Sequence, residues 1–328
     1  MIPRSDDWKN ALSSAVRDPA ELLALLALPR ELLPAARKAA ASFPLRVPRS
    51  YLAQIEKGNV NDPLLRQVLP LGEELLAVPG FGRDPVGDGA ASARPGLLHK
   101  YHGRVLLTLT GGCAIHCRYC FRRHYPYGEE NPGRDGWQGV VDYLQAHPEV
   151  EELILSGGDP LLLDTPQLRR LGDKLRDIPH LKRLRIHSRL PLVLPERIDT
   201  ELLAWLADLP WQPVLVTHAN HPHELGMAQG AALTALKQSG LTLLNQSVLL
   251  RGVNDTADTL RQLSEALFAH GVLPYYLHQL DRVSGAAHFE VTDEQARALH
   301  QTLRNSLSGY LVPRLVRELG GETSKQPL

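Results

Sequence analysis

Beyond residue 104 the chain settles into one repeated unit, and that rhythm restricts the available folds more than any other feature. Six apolar or β-branched runs, at 104–110, 152–156, 183–188, 213–217, 242–250 and 272–277, are each bounded by turn residues. Segments with helical periodicity separate the later ones, at 165–177, 199–208, 223–239 and 256–270. After the first, the runs restart about every 30 residues, the length of a strand–helix–strand unit. Such crossovers are right-handed and lay their strands parallel, giving either an open doubly wound sheet or a (β/α) barrel. Polar residues at the strand ends favour the barrel. Cys113 follows the first run, Gly157-Gly158-Asp159 the second, Ser188-Arg189 the third, and His218 and Asn220 the fourth. Gln246 lies within the fifth run and Asp281 follows the sixth. Ligand sites collect at the C-terminal ends of parallel strands, and a ring of such contributions suits a barrel mouth. The expected class is α/β, a partial (β/α)6 barrel.

The flanking segments read differently. Residues 1–80 carry short proline-punctuated helices at 7–17, 20–28, 31–41 and 63–69, and 80–96 (GFGRDPVGDGAASARPG) reads as a linker. A last helix at 292–307 precedes a short polar tail. The expected organisation is a helical region and linker over 1–96, the barrel over 97–290, and a C-terminal helix and tail over 291–328. With 36 basic and 36 acidic residues the net charge is zero, so bulk electrostatics draws the chain to neither nucleic acid nor an anionic membrane. The start, MIPRSDDWKN, lacks the basic and apolar regions of a signal peptide, and no apolar run is long enough to span a bilayer. A cytoplasmic protein is expected.

All three cysteines fall within eight residues, Cys113-Ala-Ile-His-Cys117-Arg-Tyr-Cys120. A disulfide framework needs an even count and wider spacing. Three thiolates on one loop fill three corners of a [4Fe–4S] cubane and leave one iron open to a ligand. The competing reading is a structural zinc site. Zinc wants a closed tetrahedron, and His116 or His124 would have to supply the fourth ligand from a strained local clip.

Ser156-Gly157-Gly158-Asp159-Pro160 ends the second run. By itself this is a strand-to-helix turn with Asp159 as helix cap. After a CxxxCxxC strand, its glycines also let a ligand approach the backbone, and the acid can accept bonds from an ammonium. His218 and Gln246 alone read as ordinary hydrogen-bonding residues beside strands.

Six stretches together resemble the lysine 2,3-aminomutase family of radical S-adenosylmethionine (SAM) enzymes: HKYHGRVLLTLTGGCAIHCRYCFRR, LILSGGDPLLL, SRLPLVLPERI, VTHANHPHEL, LNQSVLLRGVND and PYYLHQLD. The resemblance covers roughly residues 97–325. KGNVNDPLLRQVLP and LVPRLVRELGGETSK are similar to the branch that makes β-lysine for modification of elongation factor P. The resemblance implies a radical SAM barrel whose tail folds back over its mouth. It implies Cys113, Cys117 and Cys120 as cluster ligands, and Ser156, Gly158, Asp159, His218 and Gln246 as SAM contacts. Lys325 matches the lysine that carries pyridoxal phosphate (PLP), and Lys100 and Arg104 match basic residues near its phosphate. Arg122 matches the partner of the substrate carboxylate, and Asp281 and Glu318 match the acids that receive the distal ammonium of L-lysine. Glu318 stands where other members have aspartate, which changes pocket depth.

The implied activity is conversion of L-lysine to β-lysine, with flavodoxin or ferredoxin as reductant and a homo-oligomer as a possible assembly. An aminomutase for another amino acid such as glutamate is disfavoured, because an acidic substrate would need a cation where Asp281 and Glu318 lie. A non-catalytic iron–sulfur or zinc protein is the alternative from another class.

Overall fold

A computed structural model describes residues 7–133 and 135–328; residues 1–6 of the expected N-terminal region lie outside it. One ten-stranded sheet runs in strict chain order. Its strands are β1 Ser92–Arg94, β2 Leu97–Tyr101, β3 Arg104–Thr110, β4 Glu152–Gly157, β5 Arg183–His187, β6 Gln212–Thr217, β7 Thr242–Val248, β8 Leu273–His278, β9 Arg314–Arg317 and β10 Gln326–Pro327. β3 to β9 are parallel, with antiparallel pairs at both edges. Among the described residues no pairing joins β1 to β10, so the barrel is open.

The six runs read from the sequence are β3 to β8, each within two residues at either end. A seventh parallel strand, β9, lies within what reads as the tail, and β1 within what reads as the linker. The sheet therefore extends past 97–290 on both sides. β9 is only four residues long, but it buries Leu315 and Val316 and pairs His278 with Val316. Gly321, at φ +84, lets the chain turn back so that β10 lies antiparallel on β9.

Six helices cross between successive parallel strands: Gln138–Ala146, Thr165–Leu175, Thr200–Ala207, Met227–Gln238, Ala257–Ala269 and Asp293–Ser306. Their starts are written in the sequence. Asp164 with Gln167 and Thr292 with Gln295 form reciprocal capping boxes, and Asp199 and Thr256 cap singly. Strand side chains alternate between two faces. Leu153, Leu155, Leu184 and Ile186 point to the helices, where Leu168, Leu171 and Leu175 are fully buried. Each such side chain contributes ~1.5–3 kcal/mol. Ile154, Arg185, His187 and Val214 instead face the barrel interior.

The N-terminal helices are shorter than the periodicity predicts. The helix read at 7–17 ends at Ser13, because Val16 pairs with Val47 in a β-bridge. No helix among the described residues is long and apolar enough to cross a membrane.

Candidate active site

A cavity of about 800 Å³ occupies the barrel, and all the sequence-derived candidates line it: Lys100, Arg104, Cys113, Cys117, Cys120, Arg122, Ser156, Gly158, Asp159, His218, Gln246, Asp281, Glu318 and Lys325.

The cysteines sit on the loop that leaves β3. Burial pushes the Cys113 thiol well up, and the neighbouring Cys120, Asp159 and Cys117 push it further, so the sulfurs share one desolvated neighbourhood. Cys120 rises to about 11, again chiefly through burial. The two histidines that a zinc site would recruit are occupied elsewhere. His116 stacks on Phe43 with its Nδ1 2.9 Å from the Pro44 carbonyl, and His124 Nε2 lies 3.2 Å from the Ser284 carbonyl. Among the described residues no group of three or more His, Cys, Asp or Glu side chains forms a single-ion site. Three cavity-facing thiols with no local fourth ligand suit a cubane with one open iron.

The glycines of Ser156-Gly157-Gly158-Asp159 have a reason the sequence did not reveal. A Cβ on Gly158 would sit 2.1 Å from the Gly112 carbonyl oxygen, and one on Gly157, at φ +123, 2.6 Å from that of Thr110. Gly158 N–H donates to Thr110 O (2.6 Å) and Asp159 N–H to Gly112 O (2.7 Å). The glycine turn is thus laced directly to the base of the cysteine loop. Asp159 also caps the turn as its sequence context allowed, accepting from Leu161 N–H. Its other bonds come from the Ser188 hydroxyl and Arg189 N–H, both at 2.8 Å. Burial raises its carboxyl to about 7 against those bonds.

At the SAM candidates, Ser156 Oγ accepts from Arg122 Nη1 at 3.3 Å. His218 packs edge-on to His187, with ring centroids 5.6 Å apart, and its Nε2 is buried without a partner. Burial, and then Arg189, lowers His218 to about 3, so the ring is neutral. Gln246 faces the cavity from β7, opposite Tyr276.

The charged candidates form a chain. Arg122 Nε donates to Asp88 Oδ2 and Lys100 Nζ lies against Asp88 Oδ1, both at 2.6 Å. Lys100 also donates to Glu318 (3.0 Å) and the Val86 carbonyl (2.9 Å). Glu318 meets Lys325 at 2.5 Å. Lys100 thus joins Asp88, Glu318 and Val86, whereas Arg104 stacks on Tyr101; both line the cavity. Burial would raise Glu318, but Lys325 and Lys100 pull it down to about 2. Burial, reinforced by Glu318, lifts Asp281 to about 7.

Sequence reasoning missed Asp88, which lay in a segment read as linker. It also missed the neutral pair His187 and His278, each held well below the usual histidine range by burial. Alternation along β5 and β8 places both on the cavity face, and that period was the available signal.

Residues 102–184 match the family model described as a 4Fe-4S single cluster domain. The chain is 53% identical over 327 residues to a protein of Escherichia coli (strain K12) named L-lysine 2,3-aminomutase, covering 99% of this chain and 95% of that one. A protein of the same name from Haemophilus influenzae is 48% identical over 326 residues, with 99% and 96% covered. One from Clostridium subterminale is 35% identical over 325 residues, with 98% and 78% covered. Among solved structures, a radical SAM methyltransferase from Sphaerobacter thermophilus matches with a TM-score of 0.47 and 15% identity, over 67% of this chain and 68% of that one.

Proposed function

The chain belongs to the L-lysine 2,3-aminomutase family, and we propose that its barrel cavity is where the amino group of L-lysine moves from Cα to Cβ. The protein is an isomerase that uses a [4Fe–4S] cluster, SAM and PLP. The observation that carries the reading is the convergence of three thiols, an arginine, two acids and a terminal lysine on one cavity.

Cys113, Cys117 and Cys120 would hold the cluster, and Lys325 the PLP. When bound, the cluster with SAM supplies a hydrogen-abstracting radical, and PLP supplies a conjugated system that stabilises the migrating centre. The chain's own residues bind and orient. Arg122 offers a planar fork to the substrate carboxylate. Asp281 and Glu318 offer charge-assisted bonds to the distal ammonium. Arg104 offers a cation to the PLP phosphate. Leu106, Ile154, Val214 and Leu244 line the same cavity and limit water around it. His187, His218 and His278, all neutral, add no charge that would repel a cationic substrate.

The product reading, β-lysine passed by a separate ligase to elongation factor P, rests on the similarity of KGNVNDPLLRQVLP and LVPRLVRELGGETSK to that branch of the family. A small flavodoxin- or ferredoxin-type reductant fits the need for single electrons at the cluster.

The test is turnover of lysine, glutamate and norleucine by the anaerobically reconstituted protein. Lysine is expected to give β-lysine. Norleucine, which keeps the chain shape without the ammonium, is expected to be nearly inert. A preference for glutamate, or equal turnover of norleucine, refutes the assignment of the two acids.

A further inference from the structure

Ser188-Arg189 stands out in the sequence at the end of a strand, and nothing in the lysine chemistry uses it. In the structure Arg189 is 5% exposed, and its guanidinium is fixed from three directions. Nη2 donates to Gln67 Oε1 and to Glu224 Oε2, both at 2.7 Å. Nη1 donates to Cys117 Sγ at 2.7 Å. The group that aims it is itself completed. Glu224, fully buried, accepts from Gln67 Nε2 (3.1 Å), Asn220 N–H (2.9 Å) and His221 N–H (3.2 Å). Gln67 Oε1 takes a further bond from Asn220 Nδ2 at 3.0 Å, and the Gln67 carbonyl accepts from Arg118 N–H, the residue after Cys117.

A neutral thiol is a weak acceptor, so a buried guanidinium gains little by spending an N–H on one. The same N–H aimed at a thiolate sulfur is charge-assisted and strong. The guanidinium is thus fixed with one N–H aimed at the Cys117 sulfur, where a ligand thiolate would accept it. Hydrogen bonds to ligand sulfurs and nearby charge are among the factors that set iron–sulfur potentials.

We propose that Arg189 is a positioning residue for the cluster: held by Gln67 and Glu224, it donates to Cys117 Sγ and raises the cluster's reduction potential. The added electron increases the negative charge on the cluster, and a fixed cation at one ligand sulfur stabilises that reduced form over the oxidised one. This rests on the reading of the three cysteines as cluster ligands.

The experiment is a redox titration of the anaerobically reconstituted full chain without SAM, followed by electron paramagnetic resonance, together with iron counting and a thermal melt. The variants are Arg189→Lys and the pair Arg189→Met with Glu224→Gln. The pair removes both charges at once, so no buried ion is left unpaired and the fold is kept. Both variants are expected to bind four irons and to show a more negative midpoint than the unmodified protein. The shift is larger in the double variant, and the fraction of cluster reduced at a fixed dithionite concentration falls severalfold. Lysine is expected to be intermediate, because one ammonium cannot serve Gln67, Glu224 and Cys117 together. An unchanged midpoint overturns the proposal, including the case of a lower melting temperature alone, which would leave Arg189 a purely structural tie. Failure of the unmodified protein to take up a four-iron cluster would instead defeat the cysteine assignment.

Discussion

Asp281 and Glu318 are matched to the same substrate ammonium, yet their surroundings push them in opposite directions. Glu318 is held down to about 2 by Lys325 and Lys100, while burial and the nearby Glu318 charge lift Asp281 to about 7. A carboxyl with a raised folded-state pKa stabilises the fold at low pH. That contribution is lost as pH climbs from its ordinary 3.8 through about 7, and above 7 the buried charge is a cost. Asp281→Asn is therefore expected to raise the Tm of the ligand-free protein by a few degrees at pH 8 and by clearly less at pH 5, where only the first part of that window has been crossed. The same substitution removes one acceptor for the ammonium. Losing such a partner costs ~2–5 kcal/mol, a rise of roughly 30-fold or more in the lysine requirement. Melts at the two pH values, together with lysine saturation curves, check both halves. A normal lysine requirement would remove Asp281 from substrate binding. Legibility at this scale followed sequence distance. The cysteines declared themselves because their spacing is local. Asp88 did not, because its partners Lys100 and Arg122 lie 12 and 34 residues away and its own segment is rich in Gly and Pro.

Elements were legible where they bury a full face. β3 to β8 followed from their apolar runs, and the later helices from periodicity and caps. β9 escaped because four residues with two buried side chains do not make a period, and its strand character comes from pairing with β8. The glycine turn after β4 was legible as a motif but not in its reason. Gly158 is required by the Gly112 backbone, which cannot yield as a flexible side chain would. Gly158→Ala is expected to cost about 1–3 kcal/mol or more through overpacking. It is also expected to lower iron uptake, since the displaced strand end carries the cysteine loop. Gly309→Ala, with nothing within 4 Å of the added carbon, serves as the control. Equal iron content in the two variants would separate the glycine turn from the cluster. The loop before β1 makes a parallel case. Asp88→Asn leaves Arg122 and Lys100 without the carboxylate that aligns them, so kcat/KM for lysine is expected to fall at least tenfold with iron content unchanged. Unaltered kinetics would reduce Asp88 to a buried structural tie between its loop, Lys100 and Arg122.

At the scale of the molecule, the open sheet gives the C-terminal hairpin its place. A closed barrel would leave no edge for it, but here β9 joins β8 and β10 folds back onto β9, bringing Lys325 to Glu318 over the cavity. Leu328 N–H bonds Leu315 O, so the last residue is fastened to the sheet. In the sequence, Lys325 lies in what reads as a short polar tail. Only its resemblance to the family set it in the site, because two short paired strands carry almost no periodic signal. The cluster, by contrast, would be held by the loop after β3, whereas β10 pairs with β9. The two halves of the site are therefore expected to separate. Truncation after Ser324 removes Lys325 and β10, and the protein is expected to keep its four-iron site and SAM cleavage while losing β-lysine formation. It also frees Glu318 from Lys325, so its carboxyl titrates higher than in the full chain. Borohydride treatment of the full-length protein with PLP, followed by peptide mapping, is expected to place the label on Lys325. A label on Lys100 would move the PLP to β2 and leave the hairpin a cover, and loss of iron on truncation would show that the cover also holds the cluster loop.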